Sequence, residues 1–172
     1  MAIIGYNTIG TVGSLVSGIW ARATIGGSFL YTAIEGDAVT RVWAYCFNWG
    51  GIRESVEVTV YSMAGDSPLD RLFAPKRIGS TAPAPSWSST AVANEELRAG
   101  QTYCVAWKTS ALIQVWFDNY VDEGENNDTG NLTDPWDPRN TQNVVASVYA
   151  AVTNFAPPPP DRRYPCCAQL IE

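Results

Sequence analysis

The stretch Arg53-Glu-Ser-Val-Glu-Val-Thr-Val-Tyr-Ser62 alternates apolar and polar residues along most of its length. A period of two belongs to a half-buried strand, which sends Val56, Val58 and Val60 to a core and Ser55, Glu57 and Thr59 to the opposite face. Outward from it the same grammar repeats. Strand signals are predicted at Ile19–Ile25, Ser28–Ile34, Ala38–Asn48, Thr102–Trp107, Ala111–Phe117 and Asn143–Thr153, with Gly, Asn, Asp and Ser between them. A polar, proline-punctuated connection runs from Ala64 to about Ser86, with room for a short strand at Arg71–Ala74 or Arg77–Gly79. No helical stripe of useful length and no internal repeat is visible. Short strands at fairly even spacing predict an all-β chain, a jelly-roll-like antiparallel β-sandwich.

The flanks read differently. Residues 1–18 are interrupted by Gly5, Gly10, Gly13 and Gly18, and predict an N-terminal arm with apolar anchors Ile3, Ile4, Tyr6 and Ile9. Residues 19–155 form the sandwich domain. Residues 156–172 form a C-terminal arm opened by Pro157-Pro-Pro-Pro160. Four successive prolines fix φ and remove four backbone donors, so this stretch reads as a stiff polyproline rod. Beyond it, Tyr164, Leu170 and Ile171 have little local surface to bury them. Both arms are therefore predicted to bind neighbouring molecules.

Composition narrows the function classes. Of 172 residues only 16% are charged, below the usual ~25%, as suits a chain that covers its surface with partners. The net charge of −6, with no basic stripe, argues against nucleic acid. No apolar run approaches the ~18 residues of a membrane span. The absence of a charged leader predicts synthesis in a cytoplasm, with cysteines that start reduced. There is no histidine, which removes the commonest general base and zinc ligand.

One block is more particular. Gly36-Asp-Ala-Val-Thr-Arg-Val-Trp-Ala-Tyr, Val56-Glu-Val-Thr-Val-Tyr-Ser, Leu97-Arg-Ala-Gly-Gln-Thr-Tyr-Cys-Val-Ala-Trp and Ile113-Gln-Val-Trp-Phe-Asp-Asn follow one another. Over Trp20 to Asn119 this resembles a jelly-roll module of phage virion proteins and bacterial surface proteins. With its flanks, the chain is similar to head-decoration (cement) proteins of tailed bacteriophages. That resemblance implies a structural virion protein on the capsid surface, made in the host cytoplasm, whose partners are the major capsid protein and copies of itself, expected as a homotrimer. It implies no enzyme, no cofactor and no metal. Two alternatives stand beside it: a glycan-binding tail-fibre or surface module, and a self-polymerising filament or surface-layer subunit.

Other candidates are weighed on their residues. The acidic loop expected from Asp118 to Asn140 offers Asp118, Asp122, Glu123, Glu125, Asn127 and Asp128 as oxygen ligands for Ca²⁺, though the spacing is not that of an EF-hand and a solvated loop is the plainer reading. Trp49, Trp87 and Trp136 are placed in turns or loops as candidates for stacking on sugar rings, with core and interface packing the plainer reading; Trp107 is placed in the core. The carboxylates Glu95 and Glu96 sit side by side and so point apart on a strand, a poor start for a glycosidase. Cys46 and Cys104 lie on small-residue faces and read as buried free thiols. Cys166 and Cys167 pair poorly with each other and are candidates for a cross-link between subunits.

Overall fold

The computed structural model describes residues 1–16, 21–47, 55–79, 84–109, 113–127 and 131–155. Among the described residues thirteen strands follow one another: β1 (Ala2–Gly5), β2 (Val12–Val16), β3 (Arg22–Thr24), β4 (Tyr31–Thr32), β5 (Asp37–Phe47), β6 (Ser55–Ala64), β7 (Ser67–Arg71), β8 (Lys76–Gly79), β9 (Ser86–Glu96), β10 (Thr102–Thr109), β11 (Ile113–Asn127), β12 (Pro138–Ala146) and β13 (Val148–Asn154). A single 3-10 turn, Gly27–Phe29, is the one helical element among the described residues. The chain is an all-β sandwich of antiparallel strands.

One layer runs β1-β13-β5-β9 and the other is built on β10 and β6, with β3 and β4 on one flank and β7 and β8 on the other. Successive strands cross between layers. β5 lies in the first, β6 in the second, β9 returns beside β5, and β10 returns beside β6, a Greek-key style of connection. The 15-residue β11 joins the layers. Its start meets β2 and the end of β5, it pairs with β12 from Phe117 to Asn127, and near its end it also meets β3.

The core follows from the alternation. Val56, Val58 and Val60 of β6 and Val105 and Trp107 of β10 are at most 1% exposed and pack on Val42, Ala44 and Cys46 of β5. The opposite face of β6 is not open to water as alternation alone predicts. Thr59 is fully buried and its hydroxyl donates to the Phe73 carbonyl at 2.6 Å. Tyr61, Met63, Cys104, Ala106 and Ala23 form a second cluster under Leu132 and Trp136, so a strap at 131–137 covers this face.

Several boundaries differ from the sequence expectation. The strand expected at Ser28–Ile34 begins in the 3-10 turn with Ser28 and Phe29, and only Tyr31 and Thr32 are paired as strand. The single strand expected at Asn143–Thr153 is two strands broken at Ser147. That buried serine is a pivot: its N–H donates to the Trp116 carbonyl, its carbonyl accepts from Tyr45 N–H, and its Oγ accepts from Gly10 N–H at 2.8 Å. The acidic loop expected from Asp118 is strand as far as Asn127.

The N-terminal arm is a correction. β1 pairs with β13 in register Ala2↔Val152 to Gly5↔Tyr149, and β2 pairs with β11. Ile4 is fully buried in the main core and Tyr6 is 8% exposed against Phe29, Val145 and Tyr120. Neither is free to anchor a neighbour. Ile3 is partly buried in β1, and only Ile9, 47% exposed, keeps an open apolar side chain. Burial of Ile4 completes the chain's own sandwich, worth roughly 1.5–3 kcal/mol before ordering costs, and this holds the segment at home. The C-terminal anchors Tyr164, Leu170 and Ile171, and Cys166 and Cys167, lie outside the described residues.

Candidate functional site

β5 sorts its side chains by size. Val42, Ala44 and Cys46 turn inward, where the layers approach closely, while Arg41, Trp43 and Tyr45 turn outward. Cross-strand register then gathers more rings. Tyr149 of β13 lies opposite Trp43, and Trp87 of β9 lies opposite Tyr45. Trp116 joins from β11, two positions from the Gln114↔Phe47 pair. The result is a continuous aromatic face of Trp43, Tyr45, Trp87, Trp116 and Tyr149.

The rings pack edge to face for the most part. Centroids lie 5.3 Å apart for Tyr45–Trp116 and for Trp87–Tyr149, and 5.4 Å apart for Tyr45–Trp87. Trp43 and Tyr149 stack at 5.9 Å with 9° between planes. The Arg41 guanidinium sits 5.9 Å from the Trp43 ring and donates to Ser89 Oγ at 3.0 Å. Quadrupole geometry favours such edge contacts, so the face is pre-arranged. Burial lifts the Tyr149 phenol above its ordinary value. Each ring remains only half-buried. A contiguous run of half-buried Trp and Tyr rings on an outer sheet face has the composition enriched at interaction surfaces.

The aromatics picked from sequence fare unevenly. Trp87 belongs to this face, from a strand instead of a loop. Trp136 takes the packing reading and not the sugar-stacking one: it is 5% exposed in the second cluster and its indole N–H donates to Glu125 at 2.6 Å. Trp49 lies outside the described residues. Trp107 is core, as expected. Trp43, Tyr45, Trp116 and Tyr149 were not singled out as a surface. The available signal was the alternation in β5, small residues on one face and large aromatics on the other.

The acidic candidates are used internally. Asp118 accepts from the Tyr6 hydroxyl, from Thr11 N–H at 2.8 Å and from Thr11 Oγ1 at 2.6 Å. The Thr11 hydroxyl first, then Tyr6 and the Thr11 N–H, hold its carboxyl below the usual aspartate range. It clasps residues 6–11 to the body. Glu125 accepts from Trp136 and from Ser67 Oγ at 2.7 Å, pinning the strap. Among the described residues no group of three metal-ligating side chains gathers. The side chains of Asp122, Glu123 and Asn127, and Asp128 altogether, lie outside the described set.

At the opposite end of the same layer, Glu35, Gly36, Asp37, Asn94, Glu96, Leu97 and Phe155 line an open cleft. Asp37 is 2% exposed and accepts from Tyr31 OH at 2.6 Å, Ile34 N–H at 2.9 Å and Asn154 Nδ2 at 2.9 Å. Burial pulls its carboxyl upward, and the three hydrogen bonds outweigh burial, so the net shift is downward. A carboxylate held ionised in this way is no proton donor at neutral pH. The thiols are inert: Cys46 and Cys104 are free and buried in separate clusters, and burial pushes Cys46 up to about 11 and Cys104 further.

Comparison of the chain with family models, curated proteins and solved structures returned no match.

Proposed function

We propose that this chain is a structural binding module, without catalysis of its own, that makes its contacts through the aromatic face. The supporting observation is the half-buried run Trp43, Tyr45, Trp87, Trp116 and Tyr149 on the outer side of β5, β9, β11 and β13. Trp and Tyr at the centre of an interface carry a disproportionate share of its energy, commonly ~2 kcal/mol or more each. The setting we propose is the one the sequence resemblance implies: a decoration protein on the outside of a capsid, in contact with the major capsid protein and with copies of itself. That setting is supported by the resemblance alone; the contact role is supported by the geometry.

The test is to replace Tyr45 and Trp87 with serine and count copies of the chain bound per purified capsid. Occupancy at subsaturating protein is expected to fall about tenfold or more, with the fold intact by circular dichroism. Undiminished occupancy overturns the proposal. The same exposed rings also suit a sugar-binding surface. Saturable binding on a glycan array that Trp87→Ser abolishes would favour that second role.

A further inference from the structure

Resting on the contact role just proposed, we propose that the aromatic face is the docking site for Pro157–Pro160 of a second copy of this chain. Chemistry picks the occupant. A run of prolines holds an extended, pre-ordered shape, so little ordering entropy is lost on binding. It has no N–H groups to satisfy and presents ring faces and strongly accepting carbonyls. The surface that takes such a rod is aromatic, with furrows between rings and indole N–H groups to meet the carbonyls. Five rings set mostly edge to face, three of them indoles, make that surface on this chain. The same chain supplies the rod.

Register decides between the chain's own prolines and those of a neighbour. β13 ends at Asn154 opposite Asp37, whereas Tyr149 lies opposite Trp43 and Tyr45 opposite Trp87. At about 3.3 Å per residue, the face begins roughly 17 Å back from Asn154 and reaches Trp87 at about 26 Å. Pro157 to Pro160 lie three to six residues past Asn154, a contour of about 9–19 Å in polyproline form, before any turn back is made. A contour of that length is too short for the chain's own prolines to cover Tyr45, Trp87 and Trp116. A neighbour's segment has no such limit. The contact is head to tail: each copy offers its tail to one neighbour and its face to another. Such contacts close into a ring if the rotation allows and otherwise run on as a fibre.

The experiment uses the full-length chain. Its mass is followed by sedimentation over a concentration series up to about 100 μM, around typical weak-interface dissociation constants. Two variants are compared: one with Pro157, Pro158, Pro159 and Pro160 all changed to serine, and one carrying Tyr45→Ser and Trp87→Ser. The wild type is expected to associate, and each variant alone to weaken association about tenfold or more. Mixing the two variants leaves one intact tail and one intact face, and is expected to give dimers that stop at two. A synthetic peptide Phe155–Tyr164 is expected to shift tryptophan emission of the wild type and to dissociate its oligomers; a peptide with serines for prolines is not. Unfolding midpoints of both variants within a few degrees of wild type show that the fold is kept. A wild type that stays monomeric throughout overturns the proposal. So does association indifferent to the prolines, or a proline effect on tryptophan emission that does not depend on concentration. In any of these cases, capsid occupancy that still needs Tyr45 and Trp87 leaves the contact role standing with a different occupant.

Discussion

Gly5 and Gly10 show how one residue type carries opposite meanings. In the sequence they read as interruptions of an N-terminal arm. In the fold they let the backbone come close. Gly5 has φ +100°, and a Cβ there would lie 2.4 Å from Val105 Cγ1 and 2.6 Å from the Val148 carbonyl oxygen. A Cβ at Gly10 would lie 2.4 Å from the backbone of Phe117. Gly5→Ala is expected to cost about 2–4 kcal/mol, from the disfavoured φ and the overlap together, read from the urea midpoint of the purified protein. Asp118 supplies the clasp for the same segment, and its effect depends on pH. Its folded pKa is lowered, so its contribution is fully present above the ordinary aspartate value of about 4 and is lost as pH falls through the lower folded value. Asp118→Asn is expected to reduce the fall in unfolding free energy below pH 4. An unaltered slope would place the acid sensitivity elsewhere, with Asp37 the next carboxylate to test.

At the scale of elements, the strap at 131–137 turns a two-layer sandwich into one with a second covered face. Trp136 N–H donates to the Leu69 carbonyl, Tyr61 OH donates to the Thr133 carbonyl, and Arg71 reaches the Leu132 carbonyl at 2.7 Å. Beneath them Cys104 is fully buried. Trp136→Ala removes the largest side chain of the strap and its bond to Glu125, at an expected ~3–5 kcal/mol in stability. It should also open the thiol: Cys104 is expected to react with an alkylating reagent under native conditions in the variant and to stay protected in the wild type, as mapped by peptide mass spectrometry. The strap was not legible in advance. Leu132 and Trp136 sit among Asn, Asp, Thr and Pro, with no period to betray a buried face.

Across the whole molecule, the first strand pairs with the last. β1 on β13 covers the end of the core through Ile4 and ties residues 2–5 to residues 149–152. Deletion of residues 2–5 is expected to lower the melting temperature of the isolated protein by about 4–16 °C, from a loss of about 2–4 kcal/mol. A free arm would leave that temperature unchanged, so calorimetry on the truncated chain separates the two. The same layer carries the aromatic face at one end and the end of β13 at the other. That separation gives the molecule a direction and makes its proposed self-contact head to tail.

The sequence by itself determined the all-β class, the inward faces of β6 and β10, the buried free thiols of Cys46 and Cys104, and the poverty of charge. These follow from alternation and composition, which act between near neighbours in the chain. Only the tertiary structure decided that the glycine-rich start is a core strand, that Asp118 and Glu125 are internal acceptors, that Trp136 is buried, and that five distant aromatics share one surface. Each of these depends on pairing between strands far apart in sequence, such as Trp43 with Tyr149 or Tyr6 with Asp118. No local pattern encodes that register; it is set when burial of the whole core selects one packing of all the strands.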